Sequence, residues 1–276
     1  MKRIQSKSLL TLIIIFFIIG FSTSAKDIIG IKPYNSDSTI DTISRNVRIE
    51  SALVKNPDWV AYPALLAEHR EESKDYVKHY SKKERSYIIY MFNKGKEFFP
   101  KALQIFEKYN VPSVFRMLPA LESNFNANAV SNAGAVGYWQ FMSELAGEYG
   151  LSISAKGDER KNFSKSTTAA AKFFRDQLDV FNNDILLTVA AFNCGPGRVM
   201  SALRKSDRKD ADFWDIKQYL PTETRIFVMK FIALNVISTN YDKFMDHKLN
   251  FSAPPLIQLA LFDSSKQDNS LTQNSL

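Results

Sequence analysis

The chain has 276 residues, 45% of them hydrophobic, 13% aromatic and 24% charged, which supplies a buried core and excludes wholesale disorder. Its formal charge of +7 is spread without a basic stripe of interleaved aromatics, so a nucleic-acid partner is not expected. A single cysteine, Cys194, excludes an internal disulfide, and the fold must hold without such a staple.

In chain order, Lys2, Arg3 and Lys7 precede an apolar run from Leu9 to Phe21, followed by the small residues Thr23-Ser24-Ala25. This is the layout of a secretory signal peptide, expected over residues 1–25. The competing reading is a retained membrane anchor, but the run is shorter than the roughly 20 residues that span a bilayer. No cysteine lies near its end, so a lipoprotein N-terminus is not expected. Export to the periplasm or cell envelope follows. The segment holds three Lys/Arg and no Asp/Glu, so its removal takes the charge from +7 to +4. That balance suits a polyanionic partner such as the cell wall.

Residues 26–80 read as an N-terminal extension with one or two short helices. From Lys82 the pattern turns helical, and Phe99, Leu103 and Phe106 are predicted to share a face. Pro112-Ser113 breaks this helix, with Ser113 predicted to cap the next, which carries Val114 to Leu121 and ends at Glu122-Ser123. Residues 126–137 are small and polar, an ordered loop. Ser166 is predicted to cap a helix with Ala170, Phe173, Phe174, Leu178 and Phe181 at helical spacing. Asn182-Asn183-Asp184 separates it from the apolar run Ile185–Phe192, which Gly195-Pro196-Gly197 stops, letting two helices meet tightly. Pro221-Thr222 opens a long helix with Phe227, Phe231 and Leu234 on one face. Period-two patterning is scarce, so the fold class is mainly α, and residues 246–276 read as a C-terminal tail.

Breaking a glycosidic bond requires protonation of the leaving oxygen, hence a carboxyl that keeps its proton near neutral pH. Apolar surroundings do this by disfavouring the anion. Glu122 has Met117, Leu118, Leu121 and Phe125 as chain neighbours, with Tyr138, Trp139 and Phe141 in the following loop. Read alone, a Glu at a helix end is more often a solvated surface group.

Several motifs in order change that reading. Glu122-Ser123-x-Phe125-Asn126 is followed by Ser131-x-Ala133-Gly134-Ala135-x-Gly137-x-Trp139-Gln140-Phe141-Met142, and then by Ala190-Ala191-Phe192-Asn193-Cys194-Gly195-Pro196-Gly197-Arg198-Val199. Asp158-Glu159-Arg160 with Ser166-Thr167, and Tyr219-Leu220-Pro221 with Glu223-Thr224-Arg225, complete the series. Over roughly residues 75–240 the chain resembles the SLT-type catalytic domain of lytic murein transglycosylases, in particular the membrane-bound lytic murein transglycosylase D group.

The resemblance implies a lysozyme-like, mainly helical catalytic domain over residues 81–245, acting on peptidoglycan strands without metal or cofactor. It implies Glu122 as the single acid/base. In the family that acid protonates the bond between N-acetylmuramic acid and N-acetylglucosamine, then closes a 1,6-anhydro ring on the C6 hydroxyl instead of admitting water. The substrate's own N-acetyl group assists, which fits the lack of a second acid at a fixed motif spacing from Glu122. Ser131, Gln140, Met142, Phe192, Asn193 and Phe227 fall where the family lines the groove. Gln140 and Asn193 can hydrogen-bond amide or hydroxyl groups, and the competing reading has them satisfy loop backbone.

Phe192 and Phe227 stand where the family usually has Tyr, so two hydroxyls are missing. Cys194 reads as a small packed residue rather than a nucleophile. Two alternatives share the motifs: a goose-type lysozyme-like hydrolase that uses water, and a weakly active peptidoglycan-binding protein. Envelope proteins are further expected partners.

Overall fold

A computed structural model describes residues 59–252, which fall within the compact unit Ser36–Leu276. The expected signal peptide, the extension before residue 59 and the tail after residue 252 lie outside the described residues. Mainly helical architecture is what the described residues show. A 3-10 turn (Ala64–His69) leads into α1 (Arg70–Lys83), α2 (Arg85–Gly95) and α3 (Phe99–Lys108). A second 3-10 turn (Ser113–Met117) and the short α4 (Leu118–Ser123) precede a long loop, then α5 (Ser143–Glu148). The two-residue strands β1 (Ile153–Ser154) and β2 (Gly157–Asp158) pair antiparallel, Ile153 opposite Asp158. There follow α6 (Phe163–Val180), α7 (Ile185–Cys194), α8 (Pro196–Ser206), α9 (Phe213–Ile216), α10 (Thr222–Thr239) and α11 (Tyr241–Met245).

Two of these helices form the centre. On α7 every residue from Ile185 to Ala191 is buried, and α10 buries Phe227, Val228, Phe231, Ile232, Ala233, Leu234, Val236 and Ile237. A helix apolar on all sides must be enclosed by others. Here α7 and α10 pack on each other, α1 lies along α10, α6 and α8 flank α7, and α3 packs on α6. Phe106, Phe115, Trp139, Phe173, Phe174 and Phe231 are fully buried between them, with Phe115 stacked on Phe174 at 4.5 Å. Among the described residues, no helix is long and apolar enough to cross a membrane.

The core runs without a break across residue 80. Val60, Leu66 and Val77 are fully buried in the same cluster as α10. Asn240, just past the end of α10, holds the chain at Ala61 like a strand partner: its Oδ1 accepts from the Ala61 N–H at 2.9 Å, and its Nδ2 donates to the Ala61 carbonyl at 2.6 Å.

Three local expectations are corrected. The buried line at α3 is Phe98, Ala102 and Phe106, while Leu103 is 38% exposed; the helix is rotated so that Ala102 allows close approach to α6. Ser113 caps nothing: Pro112 precedes a 3-10 turn, and Ser113 is its first residue. The N-cap of α6 is Asn162, whose side chain accepts from the Lys165 N–H, while Ser166 sits one turn inside with its hydroxyl on the Asn162 carbonyl. The apolar run from Ile185 and the opening of the last long helix at Pro221-Thr222 fall where the pattern places them.

Candidate active site

Glu122 lies at the C-terminal end of α4, where the free backbone groups are carbonyls rather than N–H donors. Such a position cannot stabilise a carboxylate. Among the described residues no group hydrogen-bonds the Glu122 carboxyl, and burial pushes its pKa up to about 8, with the Glu223 charge adding to the shift. The residue as a whole is half-buried, with its carboxyl in the buried part.

The neighbours of Glu122 hold it from both sides. Asn124 ends α4 in the left-handed conformation (φ 52°), a role this residue type accepts readily, and Phe125 follows at φ 55°. The Phe125 ring stacks on Phe98 at 4.9 Å, and the Tyr87 hydroxyl donates to Asn124 Oδ1. Ser123 donates to the Tyr138 carbonyl at 2.9 Å and accepts from the Asn126 N–H at 3.1 Å. The end of α4 is thereby tied to the loop that follows.

That loop is held from within and from below. The Gly137 N–H donates to the Ala129 carbonyl, and the Ser131 N–H to the Ala135 carbonyl, both at 2.9 Å. Arg160 fastens it to the body: its guanidinium pairs with Asp158 at 2.7 Å and donates to the Phe141 carbonyl at 3.0 Å. Arg160 is buried, and its pairing holds the Asp158 carboxyl below the usual carboxylate range. A side chain at Gly137 would come within 2.2 Å of the Arg160 carbonyl oxygen, and the residue has φ +85°, so only glycine fits.

Two groove residues expected from the sequence serve this loop. Ser131 Oγ accepts from the Ala135 N–H at 3.0 Å. Gln140 Nε2 donates to the carbonyls of Ala129 and Gly137, at 3.2 and 2.9 Å. The loop-satisfying reading thus describes both side chains as they stand, although Gln140 Oε1 has no protein partner among the described residues. Met142 is 39% exposed at the loop's end. The Phe192 ring packs into Trp139, Phe141, Phe173 and Phe174, at centroid distances of 5.2 to 6.1 Å. It forms the floor under the neighbouring Asn193. Phe227 is buried on α10, one turn beyond Glu223.

Asn193 is joined to α10. Its Oδ1 accepts from the Thr224 hydroxyl at 2.8 Å. Thr224 follows Glu223, so the first turn of α10 brings one residue to Asn193 and another into electrostatic reach of Glu122. Glu223 is the site feature that the sequence reading missed, because 101 residues of chain separate it from Glu122. Gly195, at φ +90°, is the one residue between α7 and α8, and the two helices pack on each other, so the tight junction expected at this turn is present; a side chain at Gly195 or Gly197 would itself meet nothing within 4 Å. Cys194 is half-buried, and burial raises its thiol pKa, as suits a packed residue.

Among the described residues, no other carboxyl offers the same chemistry. Asp184 is also pushed up by burial, to about 6, but it caps α7 by accepting from the Leu187 N–H at 2.8 Å. Two concavities lie away from Glu122. One of about 560 Å³ is lined by Trp59, Tyr62, Leu65, Val114 and Lys243, and one of about 380 Å³ surrounds β1 and β2. The acids of the second, Asp158 and Glu159, are both held below the usual range by basic partners, so neither could donate a proton near neutrality.

The helical body thus presents one half-buried carboxyl with a raised pKa beside a loop that depends on a glycine. Residues 102–214 match the Transglycosylase SLT domain. The matched span contains Glu122, Ser131, Gln140, Met142, Phe192 and Asn193, and stops short of Glu223 and Phe227. The chain is similar to Membrane-bound lytic murein transglycosylase D of Escherichia coli (strain K12), 39% identical over 140 residues, covering 50% of this chain and 30% of that protein. It thus spans under a third of that relative's length. Among solved structures, the lytic transglycosylase Slt from Pseudomonas aeruginosa aligns at 20% identity and TM-score 0.44, covering 57% of this chain and 25% of that one. The 70 kDa soluble lytic transglycosylase from Escherichia coli aligns at 23% identity and TM-score 0.43, covering 50% and 24%.

Proposed function

We propose that the chain is an exported lytic transglycosylase that cleaves the β-1,4 bond between N-acetylmuramic acid and N-acetylglucosamine in peptidoglycan. The observation that carries this is the Glu122 carboxyl, without hydrogen-bond donors among the described residues and holding its proton up to about pH 8, within the span that matches the SLT domain. A protonated carboxyl is what departure of the glycosidic oxygen needs. Once it has given up its proton, the same group is the base that takes one from the C6 hydroxyl, closing the 1,6-anhydro ring. Asn193, Met142 and Gln140 Oε1 are the groups that line the substrate's path, and Phe192 and Phe227 support them. The apolar leader over residues 1–25 accounts for delivery to the envelope.

Glu223 favours one alternative. A second carboxylate near the acid is what a hydrolase of the goose-type lysozyme kind uses to activate water. Digestion of purified sacculi, with mass spectrometry of the released fragments, separates the two readings. Fragments ending in 1,6-anhydromuramic acid are expected; reducing ends would identify a hydrolase instead. No release at all, with retention on sacculi, would leave the binding-protein reading. Equal release by Glu122→Gln would remove Glu122 from the chemistry.

A further inference from the structure

Asn193 carries a planar amide with an acceptor at one end and donors at the other, and the two ends look alike in size. Which end meets a ligand depends on what holds the opposite end. Here the Thr224 hydroxyl donates to Oδ1 at 2.8 Å, and among the described residues Nδ2 has no partner. Thr224 is itself 1% exposed, so it cannot reach a ligand and acts only through its neighbour. Asn193 is half-buried. The Phe192 ring is locked among four aromatic rings, which fixes the backbone from which Asn193 projects. Glu223, adjacent to Thr224 in the chain, is within electrostatic reach of Glu122.

We propose that Thr224 is a positioning residue: it orients the Asn193 amide so that both Nδ2 protons face the glycan, making that position selective for an acceptor oxygen such as the carbonyl of an N-acetyl group. The proposal rests on the peptidoglycan reading above. Without the hydroxyl the amide is free to turn its oxygen outward, and an oxygen facing a carbonyl repels it. Selectivity for acetylated glycan is therefore lost in the Thr224→Val variant, whereas Thr224→Ser keeps the hydroxyl and keeps the selectivity.

The test measures calorimetric binding of a disaccharide-repeat peptidoglycan fragment and its de-N-acetylated counterpart, in a Glu122→Gln background that prevents turnover. In that background, Thr224→Val is expected to bind the acetylated fragment about 10-fold more weakly and the de-acetylated fragment unchanged, with Thr224→Ser restoring the parent value. Equal weakening for both fragments, or failure of Thr224→Ser to restore binding, would overturn the positioning role while leaving the peptidoglycan reading standing. Failure of the Glu122→Gln parent to bind either fragment would instead sink that reading, and this inference with it. A thermal melt of each variant shows whether Thr224→Val stays folded; if it does not, the two fragments compared on Thr224→Ser and Thr224→Ala decide the question.

Discussion

Glu223, in the first turn of α10, lies close enough to Glu122 at the end of α4 for its charge to disfavour ionisation of the Glu122 carboxyl. Burial is the larger cause and the Glu223 charge adds to it. The pairing joins residues from opposite ends of the motif series, and together with burial it raises the pH at which the site loses its proton.

Activity on sacculi should fall as pH rises through about 8, where Glu122 loses the proton it must donate. Glu122→Gln should lower turnover by about 100-fold or more. Glu223→Gln removes the like charge, so the alkaline limb of the pH–rate profile should move to lower pH with the acid plateau retained. If Glu223→Gln were as inactive as Glu122→Gln at every pH, Glu223 would be acting as a base, and the hydrolase reading would gain.

Removing the Glu122 carboxyl should raise stability even as it lowers activity. The carboxyl ionises from 4.5 in the unfolded chain but only at about 8 in the folded one, so the folded state binds the extra proton between these values. Stability therefore drops as pH rises from 4.5 to 8 and levels off above. Glu122→Gln cannot ionise and should gain on the wild type by on the order of a few kcal/mol at pH 8, with little difference at pH 4. Urea melts at the two pH values measure this; a constant gap would contradict the raised pKa.

The loop before α5 should depend on its glycine and its ion pair. Gly137→Ala introduces a side chain 2.2 Å from the Arg160 carbonyl at φ +85°, and should destabilise by about 3 kcal/mol or more. Gly197→Ala meets nothing within 4 Å and lies in α8, so it should be neutral or stabilise by up to about 1 kcal/mol. Chemical denaturation of the two variants side by side tests the contrast.

Asp158→Asn leaves Arg160 buried without its counter-charge and should cost about 3 kcal/mol. Since Arg160 also donates to the Phe141 carbonyl, the loop should loosen, and faster amide exchange at residues 134–141 should accompany the loss. Unchanged exchange there would show that the pair does not fasten the loop.

Much of this was legible in the sequence. The Ile185 run is apolar on every side, as only an enclosed helix is, and the Thr222–Thr239 helix sets Phe227, Phe231 and Leu234 at helical spacing, so the mainly helical class and these two core helices could be read directly. Glu122 could be chosen because ordered motifs stand around it. The end of α4 at Glu122-Ser123 and the break at Asn182-Asn183-Asp184 before α7 could also be read, since helix ends are set by side chains and backbone groups a few residues apart. Local pattern failed where two cap-capable residues competed, as at Asn162 and Ser166, and where a neighbouring helix selected the buried face, as at Phe98 and Leu103.

What only the tertiary structure decided is how the proton stays on Glu122. Its pKa is set by burial and by a charge 101 residues away in the chain, neither of which leaves a spacing signal. The same holds for the Thr224 hydroxyl on Asn193 and for Arg160 under the loop. Electrostatic and hydrogen-bond energies depend on distance in space, and it is the packing of α10 against α4 and α7 that turns distant sequence positions into neighbours.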